Sequence, residues 1–161
     1  MSCLQNSVKE PANPLIQNTG NVLSGGFANM GKGVYALIIK LDKEKTIPVG
    51  KLGFITFKPG FYVYAGSAMN SLEKRIQRHF SKTKALHWHI DYFLLHAKPL
   101  EARTLEKPKH WECRLARFLE KISDSFIPKF GSSDCKCKSH LFFFQKDPRK
   151  SKAFQRKFNN R

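Results

Sequence analysis

A chain of 161 residues with 41% hydrophobic content has enough apolar material for one buried core and hardly two. Its 29 lysines and arginines face 12 acidic residues, a formal net charge of +17, so much of the surface must project a positive field that suits polyanions. The longest apolar runs, such as Leu141 to Phe144, are far too short to span a bilayer, and no charged-then-apolar signal pattern is present, so a cytoplasmic protein without a membrane partner is expected.

Residues 1–30, with Pro11, Pro14, several asparagines and Gly20, Gly25 and Gly26, sustain no apolar period and read as a flexible leader. Gly33 to Ile39 is an apolar, β-branched run that predicts a buried strand. Lys43 to Thr46 reads as a turn. Ile47 to Phe57 and Gly60 to Tyr64 predict further strands parted by Pro59-Gly60, giving an antiparallel meander. The segment Tyr62 to Ala68 then predicts a strand that passes through a turn at Gly66 into a helix ending near Phe80. Asn70, three residues before Glu73, is the expected cap, and Leu72, Ile76 and Phe80 are the expected core face. Arg75 and His79, four apart with Arg78 beside them, then form a basic stripe.

His87 to Leu95 is apolar enough for a buried helix or strand, and Leu100 to Leu105 alternates like a short strand. Trp111 to Ile122 carries Leu115, Leu119 and Ile122 at helical spacing, with Glu112 and Cys113 in the first turn. A polar loop over Lys129 to Ser139 and a strand over Leu141 to Phe144 follow. Lys146 to Arg161 holds seven lysines and arginines against one aspartate and reads as a basic C-terminal tail. The expected class is α+β: one domain over residues 31–145, its central antiparallel or mixed sheet flanked by helices.

This order of elements gathers the parts that phosphodiester hydrolysis needs. Tyr35 and Tyr64 offer phenols on neighbouring strands, Arg75 a cation for charge gathering on phosphate, and Glu112 a hard oxygen ligand for Mg²⁺ or Mn²⁺. Backbone N–H groups after Gly66, near a helix start, add an anion-binding surface. Taken singly, strand tyrosines are commonly packing residues and an exposed helical arginine is usually just solvated. Their order and spacing shift that balance.

With Gly33-Val34-Tyr35 as a first motif, Tyr64-Ala65-Gly66 as a second, Arg75 in the next helix and Glu112 in a later one, the chain resembles the GIY-YIG nuclease superfamily. Val49 to Gly53, Tyr64 to Ala68, Arg78-His79, Trp88 to Tyr92, Glu112-Cys113 and Gly131 to Cys135 resemble its Uri-type branch. The resemblance covers residues 33 to about 145 and implies a GIY-YIG-like fold and a metal-dependent DNA endonuclease. In it Tyr35 is the general base toward water, Tyr64 orients water or metal, Arg75 holds the scissile phosphate, and Glu112 binds Mg²⁺ or Mn²⁺. His79 is a further catalytic candidate, for phosphate contact or proton transfer, and Gly66, Ser67, Lys74 and Arg78 are the expected DNA contacts. A phenol with an ordinary pKa near 10 is a poor base at neutral pH, so Tyr35 needs help from the metal or a nearby cation. The insert between Tyr35 and Tyr64 is longer than the short hairpin usual in the superfamily, a feature the Uri-type branch shares.

The rival reading is a non-catalytic DNA- or RNA-binding module of the same fold, using Tyr62, Tyr64 and Trp88 as stacking surfaces. The cysteines, Cys3, Cys113, Cys135 and Cys137, do not form a secreted-domain framework, and reduced thiols are the default. Cys135, Cys137 and His140 with Cys113 as fourth ligand offer a structural Zn²⁺ site. C-x-C-x-x-H is not the usual knuckle spacing, so zinc is the less favoured reading. His87, His89 and Asp91 share one face if their segment is a strand, and form a local hydrogen-bond network if it is a helix.

Overall fold

Every position of Gly33–Leu41 except Lys40 is buried, because both faces of the strand are covered, and this is why the run shows no polar alternation. The computed structural model describes residues 16–18 and 31–159. Its strands are β1 (Ile16–Asn18), β2 (Gly33–Leu41), β3 (Lys45–Pro48), β4 (Phe54–Phe57), β5 (Gly60–Ala68), β6 (Lys98–Leu105), β7 (Ser125–Phe126) and β8 (Leu141–Phe144). Its α-helices are α1 (Leu72–Phe80), α2 (His89–Leu94), α3 (Trp111–Ile122) and α4 (Lys152–Asn159). Six strands form one mixed sheet in the order β1-β6-β2-β5-β8-β7, in which only the β1–β6 pair is parallel. The single α+β domain expected from the sequence is thus present, built in three layers.

On one face Tyr35, Leu37, Ile39, Tyr62, Tyr64 and Leu141 pack with Leu72 and Ile76 of α1, Ile90 and Phe93 of α2, and Phe130. On the other, Val34, Ala36, Ile38, Val63, Ala65 and Phe142 pack against Leu115, Ala116 and Leu119 of α3 and Phe154 and Phe158 of α4. Period-two alternation along β2 and β5 therefore feeds two cores at once.

Four expectations change. Ile47 to Phe57 is not one strand: Gly50 and Gly53, at φ +47° and +75°, turn the chain through a 3₁₀ segment, so β3 and β4 form a separate two-stranded sheet rather than part of a meander. The cap of α1 is Ser71, not Asn70; its Oγ accepts from the Lys74 N–H at 3.2 Å, while its extended backbone lies outside the helix. Phe80 is only partly buried, and His79 takes the expected core place beside Leu72 and Ile76. Finally, residues 146–159 do not fray as a tail. Phe154 and Phe158, one helical turn apart on α4, are fully buried, and Arg149 forks onto Asp147 and reaches Glu101 of β6 at 3.4 Å. The charge count hid an amphipathic helix. Within the expected leader, Ile16–Asn18 adds a parallel strand to β6; the remainder of that segment lies outside the described residues. Among the described residues no helix is long and apolar enough to cross a membrane.

Candidate active site and metal centre

The sheet ends, where β2 begins and β5 finishes, in an open cavity of about 700 Å³. Tyr35, Tyr64, Arg75, His79 and Glu112 all line it, although they come from two strands and two helices far apart in sequence. Ser67, Lys74 and Arg78 line it as well.

Gly66 does not present its backbone from a turn. It lies buried within β5, directly opposite Tyr35, and a Cβ there would sit 2.4 Å from the Tyr35 Cζ and hydroxyl. The missing side chain is therefore the space into which the Tyr35 ring folds. From that position the Tyr35 hydroxyl shares a 2.6 Å hydrogen bond with His79 Nε2, and the Tyr64 ring lies 6.4 Å from Tyr35 and 6.1 Å from His79 between centroids. Burial, then the neighbouring Tyr64, push the Tyr35 phenol well above its ordinary value, while Arg75 pulls the other way. Tyr64 is raised too, by burial first and then by Glu112.

His79 is 2% exposed, and burial first, then Lys84, hold its imidazole down at about 3. It is neutral at physiological pH, and of the residues around it Tyr35 is its hydrogen-bond partner. Its Nδ1 has no hydrogen-bond partner among the described residues. The depressed value also fixes the sign of an acid effect. Below about pH 6.5 the unfolded chain protonates this histidine and the folded chain does not until about pH 3, so stability present above that window is lost as pH falls through it. Thermal melts are expected to show wild type losing about 1.4 kcal/mol per pH unit more than His79→Gln between pH 6 and about 4. Equal slopes in the two proteins would contradict the neutral, buried assignment.

Arg75 and Arg78 neighbour one another on α1 and have different fates. Arg78 makes a two-pronged ion pair with the fully buried Asp91, at 2.6 and 2.9 Å, and donates to the Ala85 carbonyl. Asp91 also accepts from the His87 and Trp88 backbone N–H groups. Burial pushes the Asp91 carboxyl up, but Arg78 and those two donors outweigh it and hold it below its ordinary value. The segment is thus the helix with a hydrogen-bond network, and Arg78, an expected DNA contact, is engaged in it while still lining the cavity. Arg75 forms no ion pair among the described residues, and its guanidinium lies 4.2 Å over the Trp88 ring. Of the two it is the one without a carboxylate partner among the described residues, and its side chain also hydrogen-bonds to Tyr35. The expected stacking surfaces mostly disappear: Tyr62 is 1% exposed with its hydroxyl donating to the Lys58 carbonyl, and Tyr64 is buried.

Glu112 stands in the first turn of α3, as the sequence implies, and burial raises its carboxyl while the Ser67 hydroxyl pulls it back. Asp134 lines the same cavity and raises Glu112 further. Asp134 falls within the Gly131 to Cys135 motif, and its separation of 22 positions from Glu112 leaves no local signal that the two meet. The platform that Trp88 makes for Arg75 likewise has no local signal, since the two are 13 positions apart.

The cysteine cluster is complete. Cys113, Cys135, Cys137 and His140 bring their ligand atoms within 4.8 Å of one another, and Cys135 Sγ lies 3.4 Å from His140 Nε2. Four such atoms can hold a metal ion, since bonds of about 2.0–2.3 Å in a tetrahedron set neighbouring ligands roughly 3.5 Å apart. The uncertain fourth ligand, Cys113, is delivered by the start of α3. Burial first, and then the adjoining thiols, push Cys137 up to about 12, and Cys113 is also raised. Three crowded thiols of this kind become thiolates when a cation sits among them. Cys3 lies outside the described residues.

An α+β domain with a basic, carboxylate-containing cavity beside a cluster of three cysteines and a histidine that could hold a metal ion is the class of protein that these features define. The chain belongs to the family described as Domain of unknown function DUF123, whose model matches residues 34–161. That span takes in the C-terminal helix α4. No curated protein matches the chain, and no solved structure does.

Proposed function

We propose that this protein is a metal-dependent endonuclease of the GIY-YIG type that hydrolyses DNA phosphodiester bonds. The observation that carries the reading is the convergence of Tyr35, Tyr64, Arg75, His79 and Glu112 on one cavity, with Arg75 free of any ion pair among the described residues. A net charge of +17 supports a nucleic-acid partner.

In this mechanism Arg75 faces the scissile phosphate and stabilises the charge that grows on its oxygens. The Tyr35 phenol, held by its 2.6 Å hydrogen bond with His79 Nε2 and drawn toward the phenolate by Arg75, takes the proton of the attacking water at its oxygen. The new bond forms between water oxygen and phosphorus, the bond to the leaving oxygen breaks, and that oxygen takes a proton from solvent. Tyr64 orients the water. Arg75, which pulls the Tyr35 phenol down, serves as the nearby cation that the phenol needs.

Glu112, with Asp134 beside it, offers the hard oxygen donors that Mg²⁺ or Mn²⁺ prefers, so the residues fit such an ion. Bound there, it would supply Lewis acidity toward the phosphate oxygens. The thiolate-rich Cys113, Cys135, Cys137 and His140 set suits Zn²⁺ in a structural role and not the ion of the reaction.

Labelled single-stranded, duplex and branched DNA incubated with the purified protein and Mn²⁺ is expected to yield product that disappears with chelator and in Glu112→Gln. No product on any substrate, or product unchanged in Glu112→Gln, would remove the proposal.

A further inference from the structure

We propose that Cys113, Cys135, Cys137 and His140 bind one Zn²⁺ as a closed clasp that fixes the 131–140 loop onto the start of α3, and so sets the positions of Glu112 and Asp134 in the cavity. The inference rests on the reading of those two carboxylates as reaction-site groups. Its geometry does not.

The ligands come from three places, and each is joined to the cavity. Cys113 follows Glu112 directly in the first turn of α3, so an ion that holds the thiol limits the swing of the carboxylate one residue away. Cys135 follows Asp134, and the loop before it supplies Gly131 and Ser133 to the cavity lining. His140 stands at the entry to β8; its carbonyl accepts from the Ala65 N–H at 2.9 Å and its own N–H donates to the Phe130 carbonyl at 2.8 Å. Gly131 in turn donates its N–H to His89 Nδ1 at 2.9 Å.

Between residues 131 and 140 the chain has no helix or strand, and Ser133, Asp134, Lys136 and Lys138 are exposed. Such a loop has few apolar contacts of its own to hold it. Three thiols and an imidazole around one point supply the missing constraint, with all four positions filled by protein as in structural zinc sites. A catalytic ion would require an open position, and this donor set leaves none.

The full-length protein tests this. Elemental analysis is expected to find one zinc per chain, retained in Glu112→Gln and lost in Cys137→Ser. Cobalt loaded in place of zinc is expected to give the intense visible bands of a tetrahedral thiolate site. Hydrogen exchange then reads the clasp directly: stripping zinc with a chelator is expected to speed exchange tenfold or more at the 131–140 segment, the first turn of α3 and the Ala65 amide. Readdition of zinc is expected to restore protection, with the centre of β2 unchanged throughout. This reversible measurement on the wild type holds even if Cys137→Ser fails to fold. Absence of stoichiometric zinc, or zinc whose removal leaves exchange in those segments unchanged, overturns the clasp. A protein that binds zinc and shows the exchange response yet cuts no DNA retains the clasp and loses the nuclease reading.

Discussion

Replacing Arg75 by alanine is expected to lower the single-turnover rate of DNA cleavage about 10³-fold, while the melting temperature falls by no more than about 3 °C. The two halves of this expectation have separate causes. Arg75 has no ion pair among the described residues, so its removal leaves no buried carboxylate without a partner; what it loses structurally is the stack over Trp88 at 4.2 Å and the side-chain hydrogen bond to Tyr35. Such a stack is worth about 1 kcal/mol. What it loses chemically is the cation facing the phosphate, where one well-placed group commonly supplies several kcal/mol in the transition state. Arg75→Lys keeps the charge but not the planar fork or the stack, and is expected to recover part of the rate. Arg78→Ala reverses the pattern: the melting temperature falls further, because Asp91 is left buried without its cation, and the rate is less affected. An Arg75→Ala protein that cuts as fast as wild type would show that the cavity is not where cleavage occurs.

The contrast between these arginines marks the boundary of what the sequence could reveal. Helical spacing put Arg75, Arg78 and His79 on nearby faces of α1, and the motif order pointed to Tyr35, Tyr64 and Glu112; all of these meet in the cavity. Spacing along one helix says nothing about what packs against it. Asp91, 13 positions away, claims Arg78, and Tyr35, 44 positions away, claims His79, so one residue of the expected basic stripe is neutralised and another is buried. The same limit applied to the cysteines. C-x-C-x-x-H looked incomplete because Cys113 belongs to another element, and only tertiary folding supplies it. Gly66 was read through the conformational freedom of glycine, whereas its role is the absence of a Cβ beneath the Tyr35 ring. Strands β2, β5, β6 and β8 of the central sheet and the bounds of α3 were legible because apolar runs, alternation and a clean period of about 3.6 are local signals, whereas β1 and β7, of three and two residues, are too short to carry one. At the C-terminus, dense charge concealed the equally local pair Phe154 and Phe158.

Asp91→Ala is expected to destabilise the fold by about 3–5 kcal/mol, a fall in melting temperature on the order of 10 °C. The carboxylate is fully buried and answers four donors: both prongs of the Arg78 fork and the His87 and Trp88 N–H groups, at 2.9 and 2.8 Å. Alanine leaves all four without their acceptor. Arg78 is 26% exposed in its side chain and recovers some hydration, which places the cost toward the lower end of that range. Asp91→Asn keeps the shape and one acceptor oxygen, and is expected to cost less. The loss also reaches the cavity, because the Trp88 backbone that Asp91 holds carries the ring on which Arg75 rests. Cleavage measured well below the melting temperature should therefore fall in Asp91→Ala, with Asp91→Asn intermediate in both rate and stability. If both variants lost stability and kept the wild-type rate, Asp91 would support only the fold. If neither lost stability, the fork between Arg78 and Asp91 would not be what joins α1 to α2.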